Sequence, residues 1–325
     1  MRLLITGGSG FIGTNLIDIL KSQYDTIINI DKSKPKKESH FSYWRECNIL
    51  NYEKLFKIIS DFQPNHVIHL AARTDTDSNV LDDYIENTEG TRNLLAIVEQ
   101  IKSIERLIIT STQFVNQYHG IPKNDEDYAP HTVYGESKII NEKDIRSANL
   151  YCAWTIIRPT NIWGPWHKRY PYEFWKVLSE NKYIHPGKKK IIRSYGYVGN
   201  ITWQISKILT ASVEMVNRKV FYVGDYPIEL LSWVNGFSNR QIGRSVIVVP
   251  AIIVKLIAFF GEVLKLFRIK FPITLSRYKS MTSSNDAPMQ ATYEAFGMPP
   301  YTLEDGIEET VKWMKQYHPH LVKIP

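Results

Sequence analysis

The chain has 325 residues, 43% of them hydrophobic, and a formal net charge of +7. This length and composition exclude a short or disordered protein and accommodate one large α/β unit with a smaller lobe. Strand and helix patterns alternate up to about residue 160, which predicts a Rossmann-type, doubly wound parallel sheet with a smaller C-terminal substrate-binding lobe.

The first predicted element is a short buried strand, Arg2 to Thr6, and an amphipathic helix begins soon after it. Glycines separate the two elements with the spacing G-x-x-G-x-x-G. Such a turn lets the backbone approach phosphate oxygens and points free N–H groups at them. The order of strand, glycines and helix predicts a dinucleotide pyrophosphate site, to which we assign Gly7, Gly10, Phe11, Ile12 and Gly13.

A second buried strand, residues 27–30, ends at Asp31. A carboxylate in this place accepts hydrogen bonds from the ribose hydroxyls of NAD and repels the 2′-phosphate of NADP. We therefore predict NAD as the cofactor and regard NADP as disfavoured. Four cations that follow the carboxylate keep NADP open as the alternative: Lys32, Lys34, Lys36 and Lys37.

A later buried strand, residues 106–111, precedes Thr112, and a helix beyond it carries Tyr134 and Lys138. These two side chains are one helical turn apart and face the same way. An ammonium nearby stabilises a phenolate and lowers the tyrosine pKa from its usual value near 10. We predict that Tyr134 transfers the proton of a sugar hydroxyl, that Lys138 assists, and that Thr112 holds the same oxygen. Thr110 is assigned to the cofactor site.

These motifs resemble the extended short-chain dehydrogenase/reductases, and within them the NAD-dependent nucleotide-sugar epimerases and dehydratases. The resemblance covers nearly the whole chain. It includes His69-Leu-Ala-Ala72, Asn87-Thr-Glu-Gly90, Arg158-Pro-Thr-Asn161, Arg193 and the C-terminal runs 293–300 and 302–310.

By this resemblance Thr112, Tyr134 and Lys138 are the catalytic residues. The resemblance also implies that Asn161 and Arg193 hold the diphosphate of a nucleotide sugar. It places the remaining cofactor contacts at Asn48, Ile49, Leu70, Ala71, Ala72 and Asn87, together with Tyr134 and Lys138.

Departures from the family pattern bear on the substrate. The 4,6-dehydratases carry an acidic pair after Ser-Thr, whereas this chain has Gln113 and Phe114. Neither side chain acts as a general acid or base, so 4,6-dehydration is not expected. Asn48 replaces the aspartate that binds adenine, and its amide can do part of that work. Arg193 is not followed by the usual aspartates, so the exact sugar is not identified.

We expect residues 1–162 to form the NAD-binding domain, to which the chain returns at about 191–223, and residues 163–325 to form mainly the substrate-binding lobe. The run 188–190 is all lysine and precedes Arg193, so an anionic nucleotide sugar explains the basic charge. No nucleic-acid motif appears, and no cysteine–histidine spacing suits a metal. His66 and His69 are interpreted as structural.

The longest apolar stretch, residues 246–260, contains Pro250 and Lys255 and is too short to span a membrane. If residues 251–268 form a helix, Lys255, Glu262 and Lys265 lie along one narrow stripe and the rest is apolar. We favour packing of this helix within the second lobe or in a dimer. Peripheral contact with a membrane surface is the alternative.

Three functions remain. The first is an NAD-dependent nucleotide-sugar epimerase that acts at C4 through a transient keto-sugar, in surface polysaccharide or nucleotide-sugar biosynthesis. The second is an NAD(P)-dependent 4-keto nucleotide-sugar reductase or sugar dehydrogenase that uses the same residues. The third is a non-catalytic nucleotide-sugar binding protein, which the presence of both Tyr134 and Lys138 disfavours.

The assembly and the location are also predicted. The resemblance implies a homodimer formed by the helix after Asn87 and the helix that carries Tyr134. The first of these helices has more apolar residues than one buried face needs: Leu94, Leu95, Ile97, Val98 and Ile101. Two cysteines without a disulfide framework, and a first strand that starts almost at Met1, favour a cytoplasmic protein without a signal peptide.

Overall fold

The computed structural model describes residues 1–117, 121–267 and 271–324. The chain divides into two compact units. The first unit contains Met1–Ile162, Val198–Gly224 and Ala287–Pro300. The second contains Trp163–Tyr197, Asp225–Asp286 and Tyr301–Pro325.

The strands, in chain order, are β1 (Arg2–Thr6), β2 (Thr26–Asp31), β3 (Trp44–Glu46), β4 (His66–His69), β5 (Arg106–Thr110), β6 (Ala153–Pro159), β7 (Asn161–Trp163), β8 (Ile184–Pro186), β9 (Ile192–Arg193), β10 (Tyr195–Tyr197), β11 (Lys219–Val223), β12 (Ile228–Glu229) and β13 (Ile247–Val249). The helices are α1 (Phe11–Leu20), α2 (Tyr52–Phe62), α3 (Ile85–Val98), α4 (Val133–Ser147), α5 (Tyr170–Ser179), α6 (Val198–Thr210), α7 (Val213–Val216), α8 (Leu230–Ile242), α9 (Ala251–Leu266), α10 (Leu275–Thr282), α11 (Gln290–Phe296) and α12 (Leu303–Tyr317).

A parallel sheet forms the centre of the first unit. Within the described residues it has seven strands in the order β11-β6-β5-β4-β1-β2-β3. Consecutive residues of β1 show why the sheet is buried on both faces: Leu4 belongs to one apolar cluster, whereas Leu3 and Ile5 belong to another. Because side chains alternate across a strand, continuous apolar strands need cover on both sides. The predicted doubly wound α/β fold is confirmed.

The direction of winding changes between β1 and β4. β1 pairs with β2 on one side and with β4 on the other, and every pairing in this sheet is parallel. In doubly wound sheets, ligands bind beyond the carboxyl ends of the strands at this reversal. The glycine turn after β1 and the segment after β4 meet at this point.

Aromatic side chains fill the core of the second unit. Helices α5, α8 and α12 pack together there. The ring of Trp233 stacks on Phe174 with centroids 4.7 Å apart, and Trp163 meets Phe237 edge-on at 5.5 Å. A Cβ at Gly306 would lie 2.7 Å from Trp163, so α12 approaches this ring closely because the residue is glycine.

The chain re-enters the first unit at two places. We expected a return at about 191–223, whereas residues 191–197 belong to the second unit and the chain rejoins at 198–224. Arg193 in β9 pairs with Ile228 in β12, which keeps this stretch in a small separate sheet. The second return, Ala287–Pro300, was not anticipated, because its short helix α11 carries no strand pattern.

The structure tests the predictions made for two apolar helices, α3 and α9. The α3 residues cited for a dimer are all buried within the first unit, so they provide no second apolar face: Leu94, Leu95, Ile97, Val98 and, just beyond the helix, Ile101. The predicted helix 251–268 is present as α9. Arg268 and the side chain of Lys265, both part of that prediction, lie outside the described residues. Among the described residues of the chain, no helix is long and apolar enough to cross a membrane.

Candidate active site

The glycine turn after β1 is closely packed. Gly7 has a φ of +74°, and a Cβ there would lie 2.6 Å from the backbone nitrogen of Ala71. A Cβ at Gly13 would lie 2.4 Å from the Cα of Gly8. At Gly10, the N-cap of α1, an added Cβ would lie 3.0 Å from the Gly7 carbonyl oxygen, and, its two chain neighbours aside, no other described atom lies within 4 Å. The turn therefore requires glycine and leaves the backbone at the start of α1 open to a phosphate.

The turn and β2 together orient Asp31. Its two carboxylate oxygens accept backbone N–H groups from Ser9 at 3.1 Å and Ser33 at 2.8 Å. This arrangement places a fixed negative charge beside the glycine turn, where a ribose would lie. The nearby cations have other partners, since Lys32 binds Glu86 at 2.7 Å and Lys37 binds Asp18. These ion pairs reduce the attraction of the lysines for a 2′-phosphate.

The segment after β4 lies next to the glycine turn, at the point between β1 and β4 where the direction of winding changes. Leu70 and Ala71 bond back to Thr6, through its carbonyl oxygen at 3.0 Å and its hydroxyl at 3.3 Å, and Ala72 follows them. Thr110 ends β5, and its hydroxyl is buried without a hydrogen-bond partner among the described residues. A buried orphan hydroxyl needs a partner. The glycine turn, Asp31 and this hydroxyl together fit NAD.

Three other predicted cofactor residues have structural partners. Asn87 is buried, and its amide bonds the backbone of Arg73 and the Ser137 hydroxyl at 2.8–3.0 Å. Ile49 is buried in the core. Asn48 is exposed, and its side-chain oxygen accepts the Leu50 N–H at 3.0 Å. The contacts of these three residues with NAD remain predictions. Asn87 also connects the segment after β4 to helix α4 through its hydrogen bonds to Arg73 and Ser137.

The predicted catalytic side chains come together at the start of α4. Thr132 caps this helix by accepting the Gly135 N–H at 3.0 Å, which sets the direction in which Tyr134 and Lys138 project. Both side chains are buried. Thr112, which follows β5, lies beside the Tyr134 hydroxyl and acts to lower its pKa. A proton-transfer group and an oxygen-holding group therefore meet at the carboxyl edge of the sheet.

The predicted effect of Lys138 on Tyr134 is not seen in the protein without ligands. Burial raises the pKa of Tyr134 to about 12, only partly offset by Thr112 beside its hydroxyl. Burial also lowers the pKa of Lys138 to about 8. Desolvation is the largest cause for both groups, and it opposes the charged form of each. Lys138 is still mostly protonated at neutral pH.

Two aromatic rings beside Tyr134 complete its surroundings. The Tyr84 ring lies 6.2 Å away, and the Phe114 ring meets Tyr134 edge-on at 6.3 Å. Gln113, the other residue at the dehydratase acidic pair, is buried. No carboxylate therefore occupies either of these two positions. Sequence analysis missed Tyr84, which only the packing of a 3₁₀ turn (Leu81–Tyr84) against α4 brings to the site.

A buried ion pair joins helix α4 to strand β6. Glu142 accepts two hydrogen bonds from Arg158, from Nε at 2.9 Å and from Nη2 at 2.7 Å. The Ser111 hydroxyl also donates to Glu142 at 2.5 Å, which links α4 to the residue before Thr112. The attraction of Glu142 opposes the fall in the pKa of Lys138. The spacing of Tyr134, Lys138 and Glu142 at successive turns was the available sequence signal for this residue.

The two predicted substrate residues belong to different units. Asn161 begins β7 and is half-buried in the first unit. Arg193 lies in β9 of the second unit and is buried. The roles of Asn161 and Arg193 in binding the diphosphate remain predictions.

His69, interpreted as structural, bonds Thr6 at 2.7 Å and Thr91 at 3.0 Å. His66 bonds Tyr24 at 2.6 Å.

Comparison with known proteins agrees with this geometry. The family model described as "NAD dependent epimerase/dehydratase family" matches residues 3–224. An N-acetyl-alpha-D-glucosaminyl-diphospho-ditrans,octacis-undecaprenol 4-epimerase of Escherichia coli O157:H7 is 27% identical, over 96% of this chain and 95% of that protein. A dTDP-glucose 4,6-dehydratase of Salmonella typhimurium is 29% identical over 65% of this chain and 69% of its own length.

Solved structures share the fold. A UDP-glucuronic acid 4-epimerase from Bacillus cereus, in complex with UDP-glucuronic acid and NAD, has a TM-score of 0.73 at 19% identity, covering 98% of this chain and 100% of its own. A UDP-glucose 4-epimerase from Thermotoga maritima has a TM-score of 0.72 at 20% identity, with 98% and 99% coverage. With the family model matched across the cofactor and catalytic segments, this chain belongs to the NAD-dependent epimerase/dehydratase family and is an enzyme of the extended short-chain dehydrogenase/reductase type that uses NAD.

Proposed function

We propose that the enzyme inverts C4 of a sugar carried on a diphosphate, through a transient 4-keto-sugar. The observation that carries this proposal is the placement of three buried side chains beyond the carboxyl end of β5: Thr112 lies beside the Tyr134 hydroxyl, and Lys138 is one helical turn from Tyr134. Gln113 and Phe114 stand where a dehydratase would need acidic groups, and this favours epimerisation over elimination.

Each residue has a separate task in this scheme. Thr112 holds the sugar hydroxyl, and Tyr134 accepts its proton and returns it when the keto-sugar is reduced. Burial lowers the pKa of Lys138 only to about 8, so it keeps a positive charge one turn from Tyr134 at neutral pH. In this proposal that charge stabilises the phenolate when Tyr134 is ionised during proton transfer. NAD, held by the glycine turn and Asp31, would supply the hydride chemistry at C4 that a transient 4-keto-sugar requires. Tyr84 and Phe114 keep water away from the phenol.

The cofactor that copurifies tests epimerase against reductase. An epimerase regenerates its cofactor in every turnover, so we expect tightly held NAD and interconversion of the two C4 epimers without added nicotinamide. A 4-keto-sugar reductase or sugar dehydrogenase would consume added NADH or NADPH in proportion to product. Stoichiometric cofactor consumption would refute the epimerase proposal.

The first unit would hold NAD, and the second would contribute to substrate binding, with Asn161 and Arg193 as candidate ligands of the diphosphate. A nucleoside is the carrier that we propose first. A polyprenol is the second candidate, because the relative that matches over nearly its whole length is a 4-epimerase of an undecaprenyl diphosphate sugar. Parallel assays with UDP-N-acetylglucosamine and with a short-chain polyprenyl diphosphate sugar separate the two carriers, since only the true substrate is turned over at micromolar concentration.

We also propose a cytoplasmic homodimer formed through α3 and α4. The buried apolar residues of α3 no longer support this interface, so the proposal rests on the resemblance to the family. The outer surface of these helices is polar, where Arg92 bridges Glu89 at 2.6 Å and Asp144 at 2.9 Å. Light scattering at micromolar concentration should give twice the monomer mass, whereas a monomer would reject the dimer.

A further inference from the structure

Helix α9 in the second unit leaves its larger apolar side chains uncovered. Ile252 and Leu256 are each 63% exposed, Phe259 is 61% exposed and Phe260 is 56% exposed. Their spacing puts all four on one face of the helix. The opposite face carries Val254 and Ala258, which are fully buried. The helix is therefore anchored by its smaller side chains and presents its phenylalanines outward.

The uncovered face continues onto neighbouring segments. Phe267 is exposed beyond the end of α9, and Leu275 is exposed at the start of α10, which packs beside α9. Ile273, shortly before α10, lies close to α9, since a Cβ at Gly261 would lie 2.1 Å from the Ile273 carbonyl oxygen. The Phe260 and Phe271 rings also meet at 6.1 Å. Contiguous exposed apolar surface of this kind marks an interaction site.

The sequence segment that contains this face is mostly basic. Residues 240–282 contain eight basic residues and one acidic residue, Glu262. Glu262 accepts the Leu275 N–H at 3.3 Å, so it helps to hold α10. Exposed cations lie on both helices, at Lys255, Arg277 and Lys279. Three more, residues 188–190, directly follow Gly187, where an added Cβ would lie 3.5 Å from the Cβ of Ala251 at the start of α9.

The exposed apolar face and the basic residues near it together favour one class of partner. A second copy of the chain would bring its own basic rim against this one, and like charges facing each other oppose association. An anionic lipid surface complements both parts of the patch, because phenylalanines enter the acyl boundary while lysines and arginines meet the headgroups. Since α9 has 16 residues, it is shorter than a membrane-spanning helix, and it would lie in the plane of the interface.

We propose that the exposed face of α9, with the basic residues that border it, docks the enzyme reversibly on an anionic membrane. This inference concerns where the enzyme works and is independent of the substrate proposed above. It requires both apolar insertion and headgroup attraction, so each part has its own test.

The experiment is co-sedimentation of the full chain with vesicles of phosphatidylglycerol and phosphatidylcholine in equal parts, and with vesicles of phosphatidylcholine alone. We expect binding to the anionic vesicles that weakens as salt is raised. The Leu256→Gln/Phe259→Gln variant should bind at least about tenfold more weakly, since it removes two inserting side chains. Lys255→Glu should weaken binding to the anionic vesicles alone.

Ile121→Gln is the matched control, because Ile121 is a 73% exposed apolar residue that belongs to the first unit, whereas the patch belongs to the second. It should bind vesicles as the unaltered protein does. No binding to anionic vesicles, equal binding to both vesicle types, or equal loss in the Ile121→Gln variant would overturn the proposal. A protein that ignores vesicles, but whose mass in light scattering halves in the Leu256→Gln/Phe259→Gln variant, would show that a second copy covers this face instead.

Discussion

Arg193 donates two hydrogen bonds from Nη2 to Ser280, one to its carbonyl oxygen at 2.7 Å and one to its hydroxyl at 2.8 Å. The guanidinium of a buried arginine is thereby tied to the end of α10. Its proposed role therefore has to be separated from its structural contacts.

Substitution of Arg193 tests the diphosphate assignment. Arg193→Lys should raise the KM for the sugar substrate by about tenfold or more, because lysine cannot copy a bidentate contact with two phosphate oxygens. The affinity for NAD should not change. Ser280→Ala is the matched control, since it removes one structural hydrogen bond and leaves the guanidinium. If both variants raise KM equally, Arg193 acts through the position of α10 alone.

Loss of the Tyr134 hydroxyl should abolish most of the proton transfer. Tyr134→Phe is expected to lower kcat by about a hundredfold or more, with NAD still bound. Tyr151→Phe serves as control, because that side chain is largely exposed and far along the chain from the site motif. Steady-state kinetics and the absorbance of copurified cofactor give both readouts. Near-normal turnover in the Tyr134 variant would remove it from the mechanism.

The carboxylate of Asp31 should determine the choice of cofactor. Asp31→Ser removes the repulsion of a 2′-phosphate and the acceptor for the ribose hydroxyls. Titration of cofactor-free protein should show tighter binding of NAD than NADP in the unaltered chain, and a ratio shifted toward NADP by about tenfold or more in the variant. Tighter NADP binding by the unaltered protein would show that the lysines after Asp31 dominate.

The buried Glu142–Arg158 pair should be costly to break. Glu142→Gln leaves a fully buried guanidinium without its carboxylate, so the free energy of unfolding should fall by about 3 kcal/mol. The double variant Glu142→Leu/Arg158→Met should be more stable than the single one, because neither charge then remains buried. Urea unfolding measures both. A single variant as stable as the unaltered protein would mean that the pair contributes no net stabilisation.

Stability at acid pH should depend on His69. Burial, with a smaller contribution from Lys138, lowers the pKa of this imidazole to about 3, whereas it is near 6.5 in an unfolded chain. The unfolded state therefore binds the extra proton between these values, and this contribution to stability is lost as pH falls below about 6.5. His69→Gln should flatten the dependence by up to about 1.4 kcal/mol per pH unit in urea unfolding. An unchanged slope would contradict the assignment.

The fold and the use of NAD could be predicted from local patterns of the sequence. The glycine spacing, Asp31 at the end of a strand, and Tyr134 one turn before Lys138 are local features, and each depends on the geometry of a single turn, strand or helix. The doubly wound sheet followed from the alternation of strands and helices. These relationships need only short stretches of chain, so the sequence carries them directly.

The tertiary structure decided what depends on distant segments. It placed Tyr84 and Phe114 around Tyr134, paired Glu142 with Arg158, and showed that desolvation keeps the pKa of Tyr134 high. It also showed which apolar residues are covered by other segments of the described chain. Those of α3 are covered by the rest of the first unit, whereas those of α9 remain uncovered. Periodicity shows which residues share a helix face, but only the fold determines whether another segment covers that face.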